Sequence, residues 1–404
     1  MAVGGMVGGG IFSVLGVVVE RAGSLAWLSF VIGGLVALAT GYSYARLAGH
    51  FEEGGGAFAF LRRMEREGFA AALSWVLIIG YVLTISVYAF TFGHYVGEVL
   101  GFGPVLIRIL SVAVVLSLVG VNLLGVAEAG GFEIVTVWGK VLVLLLVASV
   151  GLWRWNPDML DRGVPEVGPL GVLVGAATVF MAYEGFQLLT YDYDDIKRPR
   201  RTLFQATLAA ISTVIVLYVI VAVGSASLVG AGTLVEQKEI ALVAVGREAF
   251  GFVGVVLVSV AAAFSTGSAI NATLFATARL ARDVSAAGEL PRAAAHENSR
   301  GIPDRSVLFL GVLGALLASV GSLSQLVEAA SLIFLFTFGA VNFIALRELE
   351  RGRWVFGAGM LGAGAAGVTL VYELAHSAPY ALGFLLLLVL LATVVRPYLL
   401  RRLG

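Results

Sequence analysis

The 404-residue chain contains no cysteine, which removes disulfides, thiolate nucleophiles and cysteine-ligated metals from consideration. Its four histidines, His50, His94, His296 and His376, are too scattered for a zinc-ligand spacing. Charge is scarce as well: 13% of residues are charged, against about 25% in a soluble domain. The 26 bases cancel the 26 acids, so there is no electrostatic footprint for nucleic acid. No His-Glu-x-x-His or comparable intramembrane catalytic cluster is present. Neither filter-like repeats nor the rings of charge that line channels occur. The sequence therefore gives no reason to expect an enzyme, a resident metal or a cofactor. A cleavable signal peptide is not expected either, because the first apolar run has no basic region before it and leads into further apolar runs.

What is abundant is apolar sequence, at 59% of residues. A membrane span needs about 20 mostly apolar residues. Twelve such intervals predict an all-α membrane protein: 2–19, 25–47, 69–100, 105–124, 133–152, 169–190, 203–229, 249–280, 306–320, 323–346, 355–372 and 381–395. With a cytoplasmic amino terminus, 19 of the 26 Lys and Arg residues fall on inside segments, including Arg46, Arg66, Lys197, Arg198, Arg200, Arg201, Arg396, Arg401 and Arg402. Six fall outside, and Lys140 lies within a span. This asymmetry predicts a multi-pass protein of the cell membrane with both termini cytoplasmic.

Two spans carry interruptions. The first reads Gly4-Gly5-Met6-Val7-Gly8-Gly9-Gly10-Ile11-Phe12. Each glycine costs an ordinary helix about 1 kcal/mol relative to alanine, so a break is expected in mid-span. A broken backbone in lipid must be covered by protein or must line a polar cavity, which points to a binding site. The competing reading is close helix packing through small residues. The sixth interval is interrupted near its midpoint by Glu184-Gly185, within Phe180-Met181-Ala182-Tyr183-Glu184-Gly185-Phe186-Gln187. A carboxylate at that depth needs a cavity or a partner. Five spans separate the starts of the two interrupted segments, so a repeat of spans one to five over six to ten would be inverted. Paired interruptions of this kind point to the central site of a secondary transporter.

In these pieces the chain resembles the amino acid–polyamine–organocation superfamily of transporters. The resemblance is carried by GGMVGGGIF, by AGSLAWLSFVIGGLVAL running into span two, and by the loop Glu53-Gly54-Gly55-Gly56-Ala57-Phe58. It continues in FMAYEGFQ followed by DDIKRPRR, and in Ser265-Thr266-Gly267-Ser268-Ala269-Ile270-Asn271-Ala272-Thr273 with ARLARDVSAAGELP beyond it. It implies a single transmembrane domain over 1–404. Inverted repeats would cover about 1–155 and about 165–347, followed by two extra helices over about 353–400. The chain departs from the pattern in three places. Relatives carry more helix and a tail before the glycines, so the reading frame is expected to extend upstream of Met1 by about 10 or more residues, two or three helical turns. Arg46 stands where glutamate is usual, and Glu52 where proline is common.

The expected site lies between the two interruptions. Unwound N–H groups around Val7, Gly8, Gly9, Gly10 and Ile11 would favour an α-carboxylate. Carbonyls freed around Phe180, Met181 and Ala182 would accept from an α-ammonium. Phe180 and Tyr183 are read as a lid or pocket wall, with ordinary packing as the alternative, and Glu184 as a gating or hydrogen-bonding group rather than a ligand. Asn122, Asn271 and Asn342 are read as interhelical hydrogen bonders, Glu328 as facing an outer vestibule, and the basic cluster at 197–201 as topology and lipid-headgroup contact. Lys140 lies seven residues beyond Glu133 in span five, roughly 10 Å along a helix. It either snorkels to the interface or stays buried. In the proton-coupled branch of the resembled family, a lysine in this span replaces a bound cation and faces the first span and the Ser265-Thr266 region. The resemblance thus implies symport of amino acids with protons, with Lys140, Ser265 and Thr266 in the coupling site. The alternatives are a polyamine or organic-cation transporter, an amino acid exchanger, and a receptor without transport.

Overall fold

The computed structural model describes residues 2–54, 56–63, 67–125, 130–191 and 193–395, and among these no strand occurs. Met1, Gly55 of the loop motif, and Arg66, Arg396, Arg401 and Arg402 of the charge count lie outside the described residues. In chain order the helices are α1 (Ala2–Ala22), α2 (Ala26–Phe51), α3 (Gly56–Arg63), α4 (Glu67–Leu100), α5 (Pro104–Leu123), α6 (Gly130–Trp153) and α7 (Pro169–Thr178). There follow α8 (Pro199–Val229), α9 (Ala231–Glu236), α10 (Ala241–Ala286), α11 (Asp304–Val320), α12 (Leu323–Glu348), α13 (Arg353–Ser377) and α14 (Pro379–Leu390). Helix occupies each of the twelve predicted intervals. Among the described residues, eight helical stretches are long and apolar enough to cross a membrane, one of them holding both α1 and α2, and two shorter apolar helices accompany them.

Local chemistry sets the boundaries. Prolines at the first helical position open α5, α7, α8 and α14, where the missing N–H would lack an intrahelical partner anyway. α2 closes on Glu52 in the left-handed region, its N–H returned to the Ala48 carbonyl at 2.9 Å. The 46-residue α10 is two helices joined at Phe250-Gly251, where Gly251 has φ +60°.

Large apolar side chains are exposed as well as buried. Trp138, Trp153, Phe252, Phe309, Val320, Trp354 and Tyr380 are all exposed. On a soluble monomer such patches would be a liability; around a bundle of this kind they face lipid. At the centre stands α1, with Met6, Val7, Ile11, Phe12, Val14, Leu15, Val17 and Val18 sealed from solvent. Such all-round burial marks a helix enclosed by others. It packs against α7, α8 and α10, and that enclosure positions the site.

Candidate substrate and coupling site

α1 corrects the first expectation. Ala2–Ala22 is one α-helix with no break at the glycines. A glycine's helix penalty is only about 1 kcal/mol, and here the bare backbone is repaid by close approach. A Cβ on Gly9 would lie 2.1 Å from the Tyr88 ring, and one on Gly10 would lie 2.6 Å from the Tyr218 hydroxyl and 2.9 Å from the Ala182 backbone. A Cβ on Gly8 would lie 3.0 Å from the Ala269 methyl. Gly8, Gly9 and Gly10 are therefore packing positions, and their N–H groups stay within the helix.

The sixth interval does break. α7 gives way to tighter 3-10 helix at Val179–Tyr183, Glu184 is extended, and Gly185 sits at φ +123° before a second 3-10 segment, Phe186–Thr190. Only glycine adopts that φ without strain. A Cβ on Gly185 would also lie 2.9 Å from the backbone of Gly5 and Met6. The freed polar groups are largely engaged. The Met181 N–H donates to Ser331 Oγ at 3.1 Å, and Ser331 donates to the Thr178 carbonyl at 2.7 Å. The Met181 carbonyl accepts from the Glu184 N–H at 3.2 Å, and the Ala182 carbonyl from the Tyr218 hydroxyl at 2.9 Å. Phe180, Met181, Ala182 and Tyr183 are wholly buried, with the Tyr183 hydroxyl on the Phe30 carbonyl at 2.7 Å. Glu184 is buried too and accepts from Gln187 Nε2 at 2.9 Å, while Gln187 Oε1 takes the Gly185 N–H.

Two donors from other helices hold the start of α1. Lys140, on α6 and 3% exposed, sets its ammonium 3.0 Å from the Gly4 carbonyl. It is buried and does not snorkel. Ser265, on α10, donates to the Val7 carbonyl at 2.8 Å. Thr266, expected beside them, instead returns its hydroxyl to Ala262 in its own helix, the common fate of a buried threonine in a helix. A cavity of about 540 Å³ runs past Gly4, Gly5, Gly185, Lys140 and Ala269. It reaches the end of the bundle where exposed Asp194 and Asp283 sit. Of the sequence-predicted site residues, Lys140 alone lines it. The others stand behind its inner wall.

Sequence reading missed three residues. Tyr218 bridges the Met6 and Ala182 carbonyls at 2.7 and 2.9 Å, joining α1 to the broken segment. Gln187 fastens the break, and among the described residues the buried Tyr88 hydroxyl, on the ring packed against Gly9, has no hydrogen-bond partner. All three look like core aromatics or amides in the sequence. Tyr218 lies in the middle of an apolar run, and only its tertiary neighbours reveal the bridge.

A family profile described as "Amino acid permease" matches residues 1–398. The chain belongs to the amino acid permease family. It is thus a membrane transporter of the amino acid–polyamine–organocation superfamily. It is 31% identical to the inner membrane transport protein YbaT of Escherichia coli over 86% of this chain and 81% of that one. It is 27% identical to the methylthioribose transporter of Bacillus subtilis over 86% and 79%. With the serine/threonine exchanger SteT of the same organism it shares 22% over 87% and 81%. At the bundle end opposite the cavity mouth, this transporter is closed by ion pairs. Arg21 meets Glu328 and Glu373, each at 2.7 Å, and Lys238 meets Glu20 at 3.0 Å. Glu328 is 1% exposed, so it does not face an open vestibule. The expected interhelical amides are in place: Asn122 donates to Asn271 at 2.6 Å, and Asn342 accepts from Ser43 at 2.6 Å and donates to Thr40 at 2.9 Å.

Proposed function

We propose that this transporter carries amino acids by proton symport across the cell membrane, with both termini cytoplasmic and the helices arranged as five-plus-five inverted repeats with two additional helices. The observation that carries the reading is the double hold on α1: an ammonium from α6 and a hydroxyl from α10 grip carbonyls of the same turn, beside the cavity. In a low-dielectric interior a cation is tolerated only when solvated by such dipoles. Loss of the Lys140 proton weakens the grip on Gly4, so proton occupancy and the position of α1 are linked. A zwitterion suits the inner end of the cavity, where Gly4 and Gly5 of α1 meet Gly185 of the broken segment.

A second reading draws on the cavity mouth, where Glu53, Asp194 and Asp283 outnumber Arg279. That acidity favours an organic cation such as a polyamine. The similarity to an exchanger supports substrate antiport within the same site. Counterflow in proteoliposomes across neutral amino acids, putrescine and arginine separates these possibilities. Neutral amino acid counterflow with proton-dependent uptake is expected. Counterflow of putrescine alone would replace the reading with the cationic one, and no counterflow of any substrate would indicate a receptor.

A further inference from the structure

A second cavity, about 380 Å³, lies between the carboxyl end of α2 and the amino end of α8. Three basic side chains line it: Arg46 and His50 from α2, and Arg200 from α8. Its apolar lining is Ala45, Phe204 and Leu349. Arg46 and His50 are four residues apart, so they share one helix face. Arg200 is in the first turn of α8, at the positive end of the helix dipole. Glu52 pairs with Arg200 and offsets one charge. Arg46 lies over the Tyr42 ring at 6.0 Å, and among the described residues it makes no ion pair. Its positive charge is uncompensated within the site. The transport mechanism uses none of these groups.

The location selects the ligand. α2 and α8 both lie in stretches long and apolar enough to span a membrane, and the cavity sits where one ends and the other begins. That places it at headgroup depth whichever side the end faces. A basic pocket between spans at that depth fits a phosphate headgroup, with the apolar lining taking the first carbons of the lipid. Its volume is within the range of a small-molecule site. We infer that Arg46, His50 and Arg200 form a binding site for the phosphate of an anionic lipid.

Native mass spectrometry of the full-length protein tests this, with phosphatidylglycerol, phosphatidylcholine or glycerol 3-phosphate added. The parent retains phosphatidylglycerol in preference to phosphatidylcholine and does not retain glycerol 3-phosphate. Arg46→Gln weakens phosphatidylglycerol retention about five-fold and Arg46→Gln/Arg200→Gln about thirty-fold, the factors set by about 1 kcal/mol per basic residue near an anionic surface. Arg46→Lys keeps most of the retention. The single glutamine variant removes no ion pair, so it reports on the site even where the double variant fails to fold. Unchanged retention by Arg46→Gln, equal retention of phosphatidylcholine, or glycerol 3-phosphate binding as well as the lipid would each overturn the assignment.

Discussion

Replacing Lys140 by alanine separates coupling from folding. Among its contacts the substitution removes the 3.0 Å charged hydrogen bond to the Gly4 carbonyl, a bond worth about 1.5–3 kcal/mol. The carbonyl is not orphaned by the change, because the helical pattern supplies the Gly8 N–H four residues on. The variant should therefore fold, with a lower melting temperature. One pH unit across the membrane is worth about 1.4 kcal/mol per proton, which supports about ten-fold accumulation of a substrate moved with one proton. In proteoliposomes, the parent should concentrate its amino acid towards that ratio under an inward gradient of one unit. Lys140→Ala should equilibrate the substrate at a ratio near one while still exchanging it. Proton-driven accumulation by the alanine variant would refute the assignment of Lys140. A strict sodium requirement in the parent would refute proton symport itself.

Other positions test the packing around that hold. Gly10→Ala should cost about 1–3 kcal/mol by overpacking, since its Cβ would meet the Ala182 backbone. Gly139→Ala, with nothing within 4 Å, should be neutral or mildly stabilising; equal thermal shifts for the two would contradict the packing account. Tyr218→Phe should lose about 1 kcal/mol for the one hydroxyl proton shared between the Met6 and Ala182 carbonyls and reduce transport, and an unaltered transport rate would remove Tyr218 from the site. Glu328→Gln should cost less than the about 3–5 kcal/mol of a fully buried ion pair, because Arg21 keeps Glu373. It should also raise maleimide labelling of a cysteine placed at Ser324, near Glu20. The chain has no other cysteine, so an unchanged labelling rate would be unambiguous evidence against a gate there.

Class and most helix positions were legible because hydropathy is a local property, and the family because GGMVGGGIF, FMAYEGFQ and the pieces after them resemble it. The break at Glu184-Gly185 was legible too, since a carboxylate beside glycine has few other reasons to interrupt an apolar run. The continuity of α1 was not. Gly8, Gly9 and Gly10 could have meant unwinding or close approach, and only the positions of Tyr88, Tyr218 and Ala182 distinguish the two. Lys140 and Ser265 could be placed near α1 by resemblance, whereas the turning of Thr266 back onto Ala262 depends on a rotamer that no sequence pattern encodes. Tyr218 escaped notice for the same reason.

The contact between Gly5 and Gly185 has a thermodynamic side. At this one point of contact between α1 and the broken segment neither partner has a side chain, and a Cβ on Gly5 would already stand 3.5 Å from the Gly185 Cα. Separating or rejoining two ordinary helices frees and refreezes rotamers, at up to about 2 kcal/mol for a long side chain. At this seam that entropy is zero. No interlocking groups must ratchet past one another, so the joint between these backbones can roll with little resistance while the polar bonds around it decide where it stops.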